Sequence, residues 1–300
     1  MSTNFTGVGT ALVTPFTPSG DLDEKAVRRL GRRQIDAGIH FLVPCGTTGE
    51  NPTLTDAERV RIVEILVDEA AGAVPILAGA GGYDTKDVIH LGALMKKAGA
   101  AGLLSVTPYY NKPTQEGLFL HYRAIADSTD LPIVVYNVPG RAGVNVEPST
   151  LARLAPLPNI IGVKEASGNI SQMCEVCRVV PSDFIVLSGD DAITLPLMAI
   201  GGRGVISVAS NEIPADMVEM VAAASNGDFE TARAVHNRIL PLMQVNFIES
   251  NPVPVKAAMA AMGLLDESYR LPMCPPTSSS REKIVRVLKE LQLLKPAYAE

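Results

Sequence analysis

Eight short apolar runs, recurring roughly every 20 to 35 residues, constrain what this chain can fold into more than any other feature. They cover residues 8–13, 41–44, 75–78, 102–106, 132–136, 160–163, 185–187 and 204–208. A run without polar interruption suits a strand buried on both faces, as in a parallel sheet. Between the runs the spacing turns helical. Thr55-Asp56-Ala57-Glu58 is a capping box ahead of Val60, Val63, Leu66, Val67 and Ala70, and Val88, Leu91, Leu94 and Met95 repeat the spacing after Asp84-Thr85. Ala37-Gly38 and Ala98-Gly99 put glycine where a helix ends in a left-handed cap. Eight alternating units predict an α/β fold, a (β/α)8 TIM barrel, rather than an open doubly wound sheet.

Polar residues are distributed unevenly about these strands. The entries are plain, as in Val74-Pro75-Ile76 and Leu131-Pro132-Ile133, while the exits are rich: Gly46-Thr47-Thr48-Gly49-Glu50, Thr107-Pro108-Tyr109-Tyr110-Asn111, Tyr136-Asn137-Val138-Pro139-Gly140-Arg141 and Ser188-Gly189-Asp190-Asp191. All exits of a parallel barrel share one face, the face where such barrels keep their chemistry. From about residue 228 the alternation stops and helical spacing continues, the last segment opened by a capping box at Ser279-Ser280-Arg281-Glu282. We therefore expect a catalytic barrel over 1–226 and a C-terminal helical extension over 227–300, placed to cover the barrel's side or to bind another subunit. Residues 295–300 are expected to fray.

Composition removes several classes of function. With 300 residues, 47% hydrophobic and 19% charged, the chain can bury a large single core. A net charge of -6 without a dense Lys/Arg cluster argues against a nucleic-acid surface, and no apolar run reaches the ~18 residues of a membrane span. Cys45, Cys174, Cys177 and Cys274 are too scattered for a disulfide framework, which fits a reducing cytoplasm. Cys174 and Cys177 form a C-x-x-C, but within a helical segment and without a second pair, and His40, His90, His121 and His236 are dispersed, so no metal site is expected. Gly201-Gly202-Arg203-Gly204 precedes the eighth strand, on the face away from the exits, where tight packing explains it better than phosphate binding.

The sixth run ends in Lys164. An amine attacks a carbonyl only when unprotonated, and the end of a buried strand is where desolvation favours the neutral form. Carbon–carbon bond formation through a lysine imine also requires a carboxylate anchor, a proton shuttle and a binder for the second substrate. The Gly46-Thr47-Thr48-Gly49 turn, Tyr136 on the neighbouring strand and Arg141 five residues on are suited to these tasks. Taken singly, a Thr-Thr turn is more often structural, a strand-end Tyr more often packing and a loop Arg more often solvated.

As an ordered set the motifs resemble the 4-hydroxy-tetrahydrodipicolinate synthase (dihydrodipicolinate synthase) family of Schiff-base pyruvate aldolases. The set comprises Gly46-Thr47-Thr48-Gly49-Glu50, Val106-Thr107-Pro108-Tyr109-Tyr110-Asn111-Lys112-Pro113, Tyr136-Asn137-Val138-Pro139-Gly140-Arg141, Gly162-Val163-Lys164-Glu165, Leu187-Ser188-Gly189-Asp190-Asp191 and Asn251-Pro252-Val253-Pro254-Val255-Lys256. The resemblance implies a lyase that condenses pyruvate with L-aspartate 4-semialdehyde, the first committed step toward diaminopimelate and lysine. It assigns the Schiff base to Lys164 and proton transfer to Tyr136 with Thr47 and Tyr110, the last entering a neighbouring subunit's site. It also assigns the pyruvate carboxylate to Thr48, with the backbone of Ile206 and with Gly189 alongside, and the semialdehyde carboxylate to Arg141. It implies no metal or organic cofactor, and a homotetramer built as a dimer of dimers.

The positions matching the family's lysine-feedback site are Asn51, Pro52, Asp56, Arg59, Tyr83, Asp87 and Tyr109. Arg59 stands where a histidine is expected and Tyr83 replaces a small amide, so lysine inhibition is expected to be weak or absent. The rival readings are sialic acid lyase or a 2-keto-3-deoxy-sugar aldolase, whose partners are longer and polyhydroxylated, and a silent barrel that senses a small acid. Arg141 and the Tyr109-Tyr110 pair favour a short carboxylated aldehyde, and a sensor has no use for an imine-forming lysine.

Overall fold

Each apolar run becomes a strand, in a computed structural model that describes residues 5–294; the fraying expected at 295–300 falls outside the described residues. The strands are β1 (Gly7–Ala11), β2 (Phe41–Val43), β3 (Leu77–Gly79), β4 (Gly102–Val106), β5 (Ile133–Asn137), β6 (Ile160–Glu165), β7 (Ile185–Ser188) and β8 (Gly204–Ser207). They pair in the order β2-β1-β8-β7-β6-β5-β4-β3, and every ladder is parallel. The seam between β2 and β3 is held by a Leu42–Ile76 bridge and by Gly79 N–H donating to the Pro44 carbonyl at 2.9 Å. The result is a nearly closed (β/α)8 barrel.

Alternation along the strands sorts the core into two shells. Val134 and Tyr136 point inward, beside Phe41, Leu104, Leu187 and Ile206. Ile133 and Val135 point outward into the layer between strands and helices. Each large side chain fully buried in this way contributes on the order of 1.5–3 kcal/mol. At the entry face, Gly204 has a φ of +132°, and a Cβ there would lie 1.9 Å from the Gly7 carbonyl oxygen. The glycine run before β8 is therefore a packing device, as its position suggested.

Helix starts follow the sequence signals with one exception. Thr55 caps helix Asp56–Ala70, and both bonds of the capping box with Glu58 are made. The last helix, Ser278–Glu290, opens earlier than the Ser279-Ser280-Arg281-Glu282 motif indicates, with Thr277 as its cap and Ser280 N–H donating to the Thr277 hydroxyl. The Glu249 carboxylate decides this. It accepts the Thr277 N–H at 3.0 Å and hydroxyl at 2.9 Å, which fixes Thr277 just outside the helix.

The C-terminal helices do more than cover the barrel's side. Helix Phe229–Val245 packs on helix Pro214–Ser225, but helix Val253–Ala261 is buried along nearly its whole length. Its Val255 and Met259 meet Val13 and Val208, just beyond the ends of β1 and β8. The extension thus reaches the mouth. Among the described residues no helix is long and apolar enough to cross a membrane.

Candidate active site

Tyr136 and Lys164 are the penultimate residues of β5 and β6, and the ladder sets them directly opposite each other. Neighbouring strands lie ~4.8 Å apart, so two inward side chains in register must touch. They do: Lys164 Nζ lies 4.3 Å from the centroid of the Tyr136 ring, with Lys164 only 5% exposed and Tyr136 6%. The next strand contributes by what it lacks. A Cβ at Gly189 would stand 2.5 Å from Ala166 Cβ and 3.1 Å from Lys164 Cε, so a glycine there leaves room for the lysine stem. Ile206 closes the same inner cluster from β8.

The turn after β2 is bent by left-handed residues at both ends, Cys45 at φ +57° and Glu50 at +54°. Gly49 N–H donates to the Gly46 carbonyl and Glu50 N–H to the Thr47 carbonyl, both at 3.1 Å. The Thr14 hydroxyl anchors the turn by donating to the Gly49 carbonyl at 2.7 Å. Burial pushes the Cys45 thiol up to about 12, so it is a neutral part of the wall rather than a nucleophile.

Asn251 joins two exits. Its side-chain N–H donates to Thr48 Oγ1 at 3.0 Å, while its carbonyl accepts from Arg141 Nη2 at 3.1 Å. Five positions beyond Asn251, in helix Val253–Ala261, the chain makes a second grip: Lys256 Nζ lies 2.5 Å from Glu50 Oε1. The Arg270 N–H reaches the other Glu50 oxygen at 3.3 Å. Burial lowers the Lys256 pKa, and the Glu50 carboxylate opposes that shift.

These exits enclose a cavity of about 270 Å³ at the mouth, at the small end for ligand pockets. Of the residues expected from sequence, Thr47, Tyr136 and Arg141 line it. Thr48, Lys164, Gly189 and Ile206 are not part of its wall. Thr48 is tied to the wall residue Asn251, and Lys164 lies against the ring of Tyr136. Tyr110 stands apart. It is 92% exposed, with a φ of +72°, and its neighbour Tyr109 takes the place in the wall. Sequence reading gave no role to Glu50, Asn251, Pro272 or Met273, all of which line the cavity. Glu50 and Asn251 entered only as members of motifs, and the physical signal was Lys256, a lone charge in an apolar helix.

The arrangement offers an amine on an aromatic face beside a phenol, hydroxyls on a tight turn and a guanidinium at the rim. That is a set suited to carbonyl chemistry on a small acid. Comparison with known proteins agrees. Residues 4–291 match the dihydrodipicolinate synthetase family. The chain is 52% identical over 294 residues to 4-hydroxy-tetrahydrodipicolinate synthase of Koribacter versatilis, covering 97% of each chain. Among solved structures it superposes on dihydrodipicolinate synthase from Aquifex aeolicus with a TM-score of 0.95 and 42% identity, over 97% of this chain and all of that one. It likewise matches the chloride-inhibited dihydrodipicolinate synthase from Acinetobacter baumannii complexed with pyruvate, with a TM-score of 0.95, 40% identity and coverage of 97% and 100%.

Proposed function

Since the chain belongs to the dihydrodipicolinate synthetase family, we propose the residues by which it condenses pyruvate with L-aspartate 4-semialdehyde to 4-hydroxy-tetrahydrodipicolinate. Lys164 is the nucleophile of this lyase. Its neutral Nζ adds to C2 of pyruvate, and the carbinolamine loses water to leave an iminium. A methyl proton then departs, giving an enamine whose methylene carbon attacks the aldehyde carbon of the second substrate. The resulting alkoxide takes up a proton. The amine carried by the semialdehyde attacks the iminium carbon, closes the ring and expels Lys164 Nζ, so the enzyme is regenerated and one water is released overall.

Tyr136 is the acid and base of these proton transfers, with Thr47 and a neighbouring subunit's Tyr110 completing the relay. Thr48 holds the pyruvate carboxylate, supported by Ile206 and Gly189, and Arg141 binds the semialdehyde carboxylate as a charge-assisted fork. The iminium is its own electron sink, so no added cofactor takes part. In this reading the enzyme works in the cytoplasm as a homotetramer, and the exposure of Tyr110 supports its use by another subunit.

The observation that carries the reading is the register that lays Lys164 Nζ on the Tyr136 ring. Borohydride reduction in the presence of pyruvate tests it. A stable adduct is expected on the peptide containing Lys164, and an adduct on another lysine, or none, overturns the assignment.

A further inference from the structure

Outside the barrel wall, immediately behind Tyr136 and Lys164, stand Asn137 and Glu165, paired in register and both fully buried. Asn137 Nδ2 donates to Glu165 Oε2 at 3.0 Å and to Asn145 Oδ1 at 2.8 Å, while Asn137 Oδ1 accepts the Val146 N–H at 2.9 Å. The Glu165 carboxylate also accepts the Ser167 N–H at 2.7 Å on Oε1, and Gln172 Nε2 at 3.4 Å on Oε2. Gln172 and Asn145 exchange bonds at 2.8 and 3.0 Å, and Gln115 Nε2 holds the Asn145 carbonyl at 2.7 Å. No polar atom of the Asn137–Glu165 pair is left over, and the amide orientation is forced, because Val146 needs an acceptor and the carboxylate needs donors.

Two things depend on this pair. The β5–β6 ladder shifts register between Ile133 and Val134, so the pairing at the entry does not by itself dictate the pairing at the exit. A slip by one residue would turn Lys164 out of the barrel. The Asn137–Glu165 bond fixes the exit register from outside. Through Oδ1, Asn137 also holds Val146, at the far end of the loop that carries Arg141.

We propose that Glu165 is a positioning residue: through Asn137 it fixes both the register that opposes Lys164 to Tyr136 and the loop that presents Arg141. The inference deepens the proposed function and rests on it. Replacing the carboxylate by an amide sets donor against donor whichever way the amide turns, at Ser167 on one side or at Asn137 and Gln172 on the other. The relief available is for Asn137 to flip, and a flipped Asn137 points its NH2 at Val146 N–H and releases the loop.

The test is steady-state kinetics of Glu165→Gln, Asn137→Asp and the double variant, with thermal midpoints and borohydride trapping of pyruvate. Glu165→Gln is expected to lower kcat by at least about tenfold, or about 1.4 kcal/mol. It should raise KM for the semialdehyde, bound by Arg141, more than KM for pyruvate. Asn137→Asp alone sets two carboxylates face to face and should be impaired as severely. The double variant exchanges donor and acceptor: the new carboxylate takes both the Val146 N–H and the new amide, Asn145 and Gln172 keep their mutual bonds while turning their amides together to face the exchanged pair, and the semialdehyde KM should return close to that of the parent. If Glu165→Gln lowers the thermal midpoint but leaves kcat and both KM values within about twofold, the role is structural and the proposal falls. It falls equally if the double variant is no better than the worse single. Should the single variants not fold, the folded double variant decides by the same KM comparison. The parent separates this from the reading beneath it: an adduct at Lys164 with unchanged Glu165→Gln kinetics overturns the positioning role alone, and no adduct in the parent overturns both.

Discussion

The ammonium of Lys256 and the carboxylate of Glu50 lie 2.5 Å apart with their side chains 0% and 1% exposed, an ion pair from which water is excluded. Removing one member of such a pair strands a charge where no solvent can stabilise it, whereas removing both does not. Lys256→Met is therefore expected to lower unfolding free energy by about 3–5 kcal/mol, and Glu50→Gln added to it should restore a large part. Urea denaturation of the parent, both singles and the double checks this. A single variant as stable as the parent would contradict it.

Gly189→Ala is expected to reduce turnover through Lys164. The new methyl would stand 2.5 Å from Ala166 Cβ, closer than two carbons can lie, and would press on the lysine stem at 3.1 Å. Ala166→Gly in the same chain removes the nearer obstacle. The double variant should trap pyruvate faster than Gly189→Ala alone, as read by the rate of the borohydride adduct.

Mixing subunits tests the exposed phenol. Tyr110→Phe and Lys164→Ala are each expected to be nearly inactive alone. When the two are dissociated and reassembled together, a subunit retaining Lys164 can borrow Tyr110 from one that lacks the lysine. Recovered activity in the mixture supports a shared site, and none would place the whole proton relay within one chain.

His121 should give stability a dependence on acid. It is 6% exposed, its Nδ1 lies 2.9 Å from the Thr85 hydroxyl, and burial lowers its pKa to about 4 against a weaker opposing effect of Asp84. In the unfolded chain the imidazole takes up its proton near pH 6.5, so between about pH 6.5 and 4 the unfolded state binds more protons than the folded one. Stability from this group is complete above that window and is lost as pH falls through it. Relative to His121→Gln, the parent should lose up to about 3 kcal/mol between pH 7 and pH 4, measured as the difference between the two denaturation curves.

Lysine is expected to bind weakly at the position matching the family's feedback site. Arg59 places a guanidinium there, tied to Asp56 at 2.8 Å and to the Asn51 carbonyl at 2.9 Å, and it repels an ammonium ligand. Tyr83 fills space against Tyr109, ring centroids 5.3 Å apart. Isothermal titration should show no tight binding, and a micromolar dissociation constant would refute the expectation.

What the sequence disclosed and what it withheld follow from the range of the forces involved. The eight strands were legible because parallel strands buried on both faces write themselves as unbroken apolar runs. The meeting of Tyr136 and Lys164 was legible as two adjacent strand ends. The cavity's far wall was not. Asn251 reaches Thr48 across 203 positions, and no periodicity records a contact of that span. Glu50 read as one polar residue in a turn, and its burial depends on a lysine 206 positions away. Thr277 became the last helix's cap only because Glu249 holds it from outside the local motif.

The mouth is framed from both directions along the chain, by Cys45 and Thr47 early and by Asn251, Pro252, Pro272 and Met273 late. A chain ended before residue 251 would keep all eight strands yet lack four residues of that wall, and with Lys256 it would lack the partner of Glu50, so strand count alone does not make a complete pocket.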